Sequence, residues 1–256
     1  MTPSAQAAAV AFFALGGLAI GSFLNVCIHR LPRRQSLVLP ASYCPSCEQP
    51  ISWFHNVPLV GYLWLRGRCA MCQARISPRY PLVELATALL FVANFLAFGW
   101  QPLLAARLLF SSLLIILFVV DLEHRLLPNA VTLPGLLVGL ILSAVMPPGW
   151  GEALLGVVLG GGVLWVIGET YERFRGEQGL GMGDVKMIAM IGAFLGWKSM
   201  LVTLVLASFA GAAVGLLLIV IRRASMQYAL PFGSFLAAGA FVASLYGARL
   251  LDWYLR

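Results

Sequence analysis

The chain has 256 residues, 61% of them apolar and only 11% charged, with a formal net charge of +7. Soluble domains carry about 25% charged residues, so the composition excludes a soluble globular fold and indicates an all-α polytopic membrane protein. In such a chain an excess of Lys and Arg marks cytoplasmic loops, and it is not read as a nucleic-acid footprint.

The first apolar run, 7–28, follows "MTPSAQ", which holds no Lys or Arg. A secretory signal opens on a basic stretch, so the run is expected to be a retained first helix with its N-terminus outside. A spanning helix needs about 20 mostly apolar residues. Seven further candidates follow at 82–99, 102–120, 130–146, 153–169, 185–196, 200–221 and 230–251, about eight transmembrane helices in all. The sixth is short, and is expected to tilt or to lie buried among its neighbours. From an outside start, the loops 29–81, 121–129, 170–184 and 222–229 face inward. With Lys186 at the same face they hold Arg30, Arg33, Arg34, Arg66, Arg68, Arg75, Arg79, Arg125, Arg173, Arg175, Arg222 and Arg223, which is 13 of the 17 basic residues. Arg107, Lys198, Arg249 and Arg256 fall toward the other side. That asymmetry places both termini outside and the long loop in the cytoplasm. Three parts are expected: a first helix at 1–28, a loop domain at 29–81 and a seven-helix bundle at 82–256. Glycines four apart, as in Gly156/Gly160 and Gly192/Gly196, read as tight helix packing.

The loop 29–81 carries "CPSC" at 44–47 and "CAMC" at 69–72, with 21 residues between the pairs. Each pair can put two thiolates on one ion, so Cys44, Cys47, Cys69 and Cys72 read as a four-cysteine structural zinc site. The rival reading is a pair of disulfides or a redox motif, against which the cytoplasmic side weighs. A closed shell of four thiolates leaves no open coordination position, so the metal would hold the loop together. Cys27 reads as a small buried hydrophobe. His55, between the pairs, is an alternative ligand or an ordinary loop histidine.

Two acidic residues stand apart from the rest. Asp121 ends the third apolar run in "LFVVDLEHRLLPN", and Asp184 begins the sixth in "GLGMGDVKMIAM". Both run ends face the cytoplasm in this topology, so two carboxylates meet at one depth of the bundle. An aspartate pair can activate a water and protonate a scissile carbonyl. Asp184 lies at a helix N-terminus, which favours its anion, and Asp121 lies near a C-terminus, which does not; Glu123 pushes the same way. Asp184 is therefore the expected base and Asp121 the expected acid. Taken singly, Asp184 also reads as an N-cap and Asp121 as a partner of Arg125. The glycines of "GMGD" favour chemistry, because they let an extended backbone approach. Lys186 either holds the Asp184 anion or snorkels to the interface.

Together these residues resemble the type IV prepilin peptidases, a family of GxGD-type membrane aspartyl proteases. "GSFLNVCIHRLP" at 21–32 is similar to the family's N-terminal signature, and the two C-x2-C pairs, "DLEHRLLPN" and "GMGDVK" follow in the family's order. Where many members have a second aspartate and "LPD", this chain has Glu123 and Asn129. The resemblance implies Asp121 and Asp184 as the catalytic pair. It implies cleavage of a basic leader from prepilins or pseudopilins after a glycine, at the cytoplasmic face of the bacterial inner membrane. It further implies N-methylation of the new terminus with S-adenosylmethionine, since members with the cysteine loop are typically bifunctional. Partners are then pilin precursors and membrane lipid, with no nucleic acid. No G-x-G-x-x-G stands where a nucleoside would be cradled, so the methyl-donor residues are not assigned; the loop and adjoining helix ends, with Glu84, are candidates by location. Glu123, Glu172 and Glu177 are the candidates for meeting a basic leader. Two other classes compete. A proton-coupled small-molecule transporter also uses intramembrane carboxylates and glycine-broken helices, but it should place them near mid-membrane and show paired halves. A zinc-stabilised scaffold without chemistry leaves Asp184 unexplained.

Overall fold

The structure, a computed structural model, describes residues 2–176, 181–222 and 230–254. Glu177, Arg223 and Arg256, which entered the charge and leader arguments, lie outside the described residues. The described chain is helical: α1 (Pro3–Arg30), α2 (Val60–Trp64), α3 (Arg79–Phe98), α4 (Pro102–His124), α5 (Asn129–Ser143), α6 (Trp150–Val157), α7 (Leu164–Arg175), α8 (Met182–Arg222) and α9 (Phe232–Tyr254). A wider, π-type turn at Val158–Val163 joins α6 to α7 through three successive glycines. Among the described residues only two isolated β-bridges occur. Two compact units divide the chain at 116/117.

In the first unit α1 packs along α3. Thr2 starts α1 by accepting the Ala5 N–H on its hydroxyl, and Pro3 occupies the first helical position, where its missing N–H costs nothing. His29 and Arg30 fall in the last turn, facing the negative end of the helix dipole. Gly17 and Gly21 let the backbones touch: a Cβ would lie 2.5 Å from Ala88 Cα at the first and 2.7 Å from Glu84 Cα at the second. Phe13 stacks on Phe95 at 4.7 Å, within an apolar cluster that includes Phe91 and Leu104.

In the second unit α8 is the axis, packed by α5, α6 and α9. It bends at Gly196, whose φ of 76° and ψ of 169° suit only glycine. The bend separates two arms where the sequence separates 185–196 from 200–221. Gly156 of α6 meets Gly192 of α8 backbone to backbone; a Cβ on Gly156 would lie 2.6 Å from the Gly192 carbonyl oxygen. Among the described residues six helices are long and apolar enough to cross a membrane, taking Trp150–Arg175 (α6, the π-type turn and α7) as one, and the apolar Asn129–Ser143 is shorter. Counting that helix and both arms of α8 gives eight apolar helical segments, so the chain is an all-α, multi-pass membrane protein.

Candidate active site and cysteine module

"DLEHRLLPN" builds one side of the acidic site. Asp121 lies in the last turn of α4 and is 5% exposed. Its carbonyl accepts the Arg125 N–H at 2.8 Å, and Arg125 turns the chain out of the helix with a φ of 53°. Leu126 and Leu127 follow, and Pro128 precedes the first residue of α5. Opposite, α9 begins at Phe232. Its first-turn N–H at Ser234 donates to Asp121 Oδ2 at 2.7 Å, and the Ser234 hydroxyl lies 3.1 Å from the same oxygen and 3.0 Å from the Phe118 carbonyl. Gly233 allows this contact, since a Cβ there would stand 3.1 Å from Asp121 Cγ and 3.0 Å from both Leu127 methyls.

Asp184 occupies the first turn of α8, half-buried. A Cβ on Gly181 would sit 2.9 Å from Asp184 Oδ2, and one on Gly183 would sit 3.1 Å from Leu127 Cβ. The two glycines of "GMGD" therefore make room within the protein, one for the carboxylate and one for Leu127. Leu127 touches both Gly183 and Gly233, so it bridges the segments that carry Asp184 and Asp121. The two carboxylates are near enough to interact through space. The ends of α4, α8 and α9 thus gather two acids around one leucine. Lys186 donates to Asn129 Oδ1 at 3.0 Å, tying the start of α8 to the start of α5.

Reading α4 alone, the helix dipole separates acid from base. The structure adds α9, whose N-terminal donors reach Asp121, so dipoles no longer distinguish the two aspartates. Sequence reasoning missed Ser234 and Gly233. Their signal was "PFGSF" at 231–235, a proline–glycine break at the head of an apolar run with a hydroxyl just inside it.

In the first unit the four cysteines come together. Cys44 Sγ lies 3.9 Å from Cys72 Sγ, Cys47 Sγ lies 4.0 Å from Cys69 Sγ, and all four sulfurs fall within 4.8 Å of one another. A tetrahedral zinc–thiolate site with bonds of about 2.3 Å needs sulfurs about 3.8 Å apart, so the donor set fits a metal. His55 is not in this cluster. Two similar turns build it. In each, the first cysteine N–H donates to a carbonyl five residues on (Gln49 and Ala74), and its carbonyl accepts the N–H of the residue four on (Glu48 and Gln73). Glu48 and Gln73 follow the second cysteines and adopt φ of 57° and 61°. The bridges Tyr43–Pro50 and Arg68–Arg75 close both turns. Backbone N–H groups of Cys72 and Met71 hold the Cys69 thiol down to about 6. The Gln49 N–H acts the same way on Cys47, but desolvation and three neighbouring sulfurs outweigh it and push that thiol up to about 12.

Comparison with known proteins gives two family matches: the bacterial peptidase A24 N-terminal domain over residues 15–98, and the type IV leader peptidase family over residues 108–216. The chain is 41% identical over 271 residues to the prepilin leader peptidase/N-methyltransferase of Aeromonas salmonicida, covering 94% of this chain and 92% of the relative. It is 38% identical over 266 residues to the protein of that description from Pseudomonas aeruginosa, covering 94% and 91%. Against the one from Klebsiella pneumoniae it is 46% identical over 206 residues, covering 77% and 90%. No solved structure matches the chain.

Proposed function

The chain belongs to the type IV leader peptidase family, and from that premise we propose that it removes the leader of type IV prepilins or pseudopilins and then N-methylates the new N-terminal residue. The observation that carries the peptidase half is the pairing of Asp121 and Asp184 across Leu127, each at a helix end. Asp184, the more exposed of the two, takes a proton from water. The water oxygen attacks the carbonyl carbon of the glycine before the cut, and Asp121 gives a proton to the carbonyl oxygen. Collapse of the tetrahedral species breaks the C–N bond, and the leaving amine takes up the proton from Asp184 while the hydroxyl returns its own to Asp121. A coupled pair of this kind titrates as a unit. The site faces the cytoplasm of the bacterial inner membrane in this reading, where a pilin's apolar helix emerges from lipid. Glu123, in the last turn of α4, and Glu172 on α7 are the acidic groups this reading assigns to the basic leader. Carboxylates at helix ends, not at mid-span, weigh against a proton-coupled transporter.

The four-cysteine cluster is the structural zinc site of the 29–81 module, with Cys44, Cys47, Cys69 and Cys72 as ligands. S-adenosylmethionine supplies the methyl group when bound.

The test uses purified protein in detergent, a prepilin with a Gly–Phe junction and labelled S-adenosylmethionine. Leader loss plus one methyl is the expected product, with Asp121→Asn and Asp184→Asn both unable to cut. Cleavage surviving either substitution overturns the two-aspartate mechanism. Cleavage without methylation removes the second activity.

A further inference from the structure

The segment between the two cysteine pairs turns aromatic and aliphatic side chains outward. A short 3₁₀ helix, Trp53–Asn56, runs into α2. Gly61 holds the two together: its N–H donates to the Val57 carbonyl at 2.8 Å, and a Cβ there would strike the His55 carbonyl oxygen. Along α2 and its cap, Gly61 is buried and Tyr62 and Leu65 are half-buried. Val60, Leu63 and Trp64, three and four residues apart, share the exposed face. Trp53 and Phe54 meet edge to face at 5.8 Å and are exposed as well. Trp53 is 80% exposed and Trp64 78%. An outward cluster of this kind marks a surface that meets something other than water.

Its level along the membrane helices and its charge identify the partner. The Leu59 N–H, at the head of α2, donates to Glu84 Oε2 at 2.9 Å. Leu59 takes a φ of 58° there, a conformation that a leucine adopts only where its surroundings impose it. Glu84 lies five residues past Arg79, the first residue of α3, which is about 7.5 Å along the helix axis. Its side chain leans back toward the helix start. So α2 begins within about a turn of the end of a membrane-spanning helix, at the level of Leu82 and Leu85, which α3 also exposes. The loop 29–81 holds seven arginines against a single acid, Glu48. Arg66 and Arg68 follow α2 directly and are exposed. Such a surface repels a basic leader and repels a second copy of itself, and it attracts lipid phosphates.

We propose that Trp53–Trp64 is an interfacial anchor that seats the cysteine module on an anionic lipid surface. Trp53, Phe54, Leu63 and Trp64 enter the boundary of headgroups and acyl chains, and Arg66 and Arg68 meet the phosphates. The module then lies along the bilayer and does not stand away from it in water.

Full-length protein in nanodiscs of phosphatidylethanolamine and phosphatidylglycerol tests it. The emission lost in Trp53→Ser/Trp64→Ser separates these two indoles from the other five tryptophans. Brominated acyl chains should quench that difference emission by roughly half or more, and aqueous acrylamide should leave it nearly untouched. Quenching by acrylamide and not by bromine overturns the anchor. Protection from acrylamide that arises only when a prepilin is added assigns the face to the substrate and overturns it too. Wild-type protein supplies a second reading that needs neither serine. Amide exchange across 53–68 should be slower with phosphatidylglycerol than with phosphatidylcholine in its place, and Arg66→Gln/Arg68→Gln should shrink that difference. Equal exchange of the wild type in both lipids overturns the anionic-surface assignment.

Discussion

At the scale of single residues, glycines decide where the acids can stand. Gly181 sits exposed at the mouth of α8, and a Cβ there would come within 2.9 Å of Asp184 Oδ2. The atom displaced is the end of a side chain, so the fold can absorb Gly181→Ala while the carboxylate cannot hold its place. The expected outcome is a fall in kcat of roughly tenfold or more, as small misplacements of reacting groups produce, with thermal stability unchanged; prepilin turnover and a melting curve check it. The cysteines invite a second residue-scale measurement. In metal-stripped protein the four thiols, which lie within 4.8 Å of one another when folded, titrate as a coupled set and should be open to iodoacetamide, as read by mass spectrometry. Bound zinc should protect all four, and acidification should release the metal, since the ligands must stay deprotonated.

Among the elements, α8 carries the second unit, and its neighbours approach through glycine. Gly156 and Gly192 meet as bare backbone, with a prospective Cβ 2.6 Å from a carbonyl oxygen that no rotamer change can move. Gly156→Ala must push α6 away from α8. Overpacking of this kind costs about 1–3 kcal/mol, so the variant should melt lower and lose cleavage only in step with folding. Denaturation in detergent followed by turnover of the folded fraction separates the two effects. The bend at Gly196 has a related cause: a φ of 76° is open to glycine and strained for other residues. The proposed cysteine module rests on local turns. Each C-x2-C pair folds on its own hydrogen bonds and then needs the other pair to complete four ligands.

For the molecule as a whole, the bias of Arg and Lys toward alternate loops sets an expected orientation. Val38, in the cysteine-bearing segment, is 81% exposed, and Trp100, between α3 and α4, is 61% exposed. In intact spheroplasts a membrane-impermeant maleimide should label Trp100→Cys and not Val38→Cys, and should label both after lysis. Labelling of Val38→Cys in intact cells would reverse the topology and move the aspartates to the outer face.

Much of this protein was legible along the chain because its signals are local. Membrane helices announce themselves by length and apolarity, since lipid offers no partner for backbone polar groups. The cysteine pairs announce a metal-binding turn, because two thiols two residues apart can share one ion. Asp121 and Asp184 stood out because a carboxylate beside an apolar run needs a reason. Tertiary structure alone decided what surrounds them. Ser234 reaches Asp121 from 113 positions away, and Leu127 joins Gly233 to Gly183, which along the chain reads as room for an extended backbone. Contacts of that range depend on how helices cross, and the crossing is set by packing summed over whole faces, which no short stretch of sequence encodes.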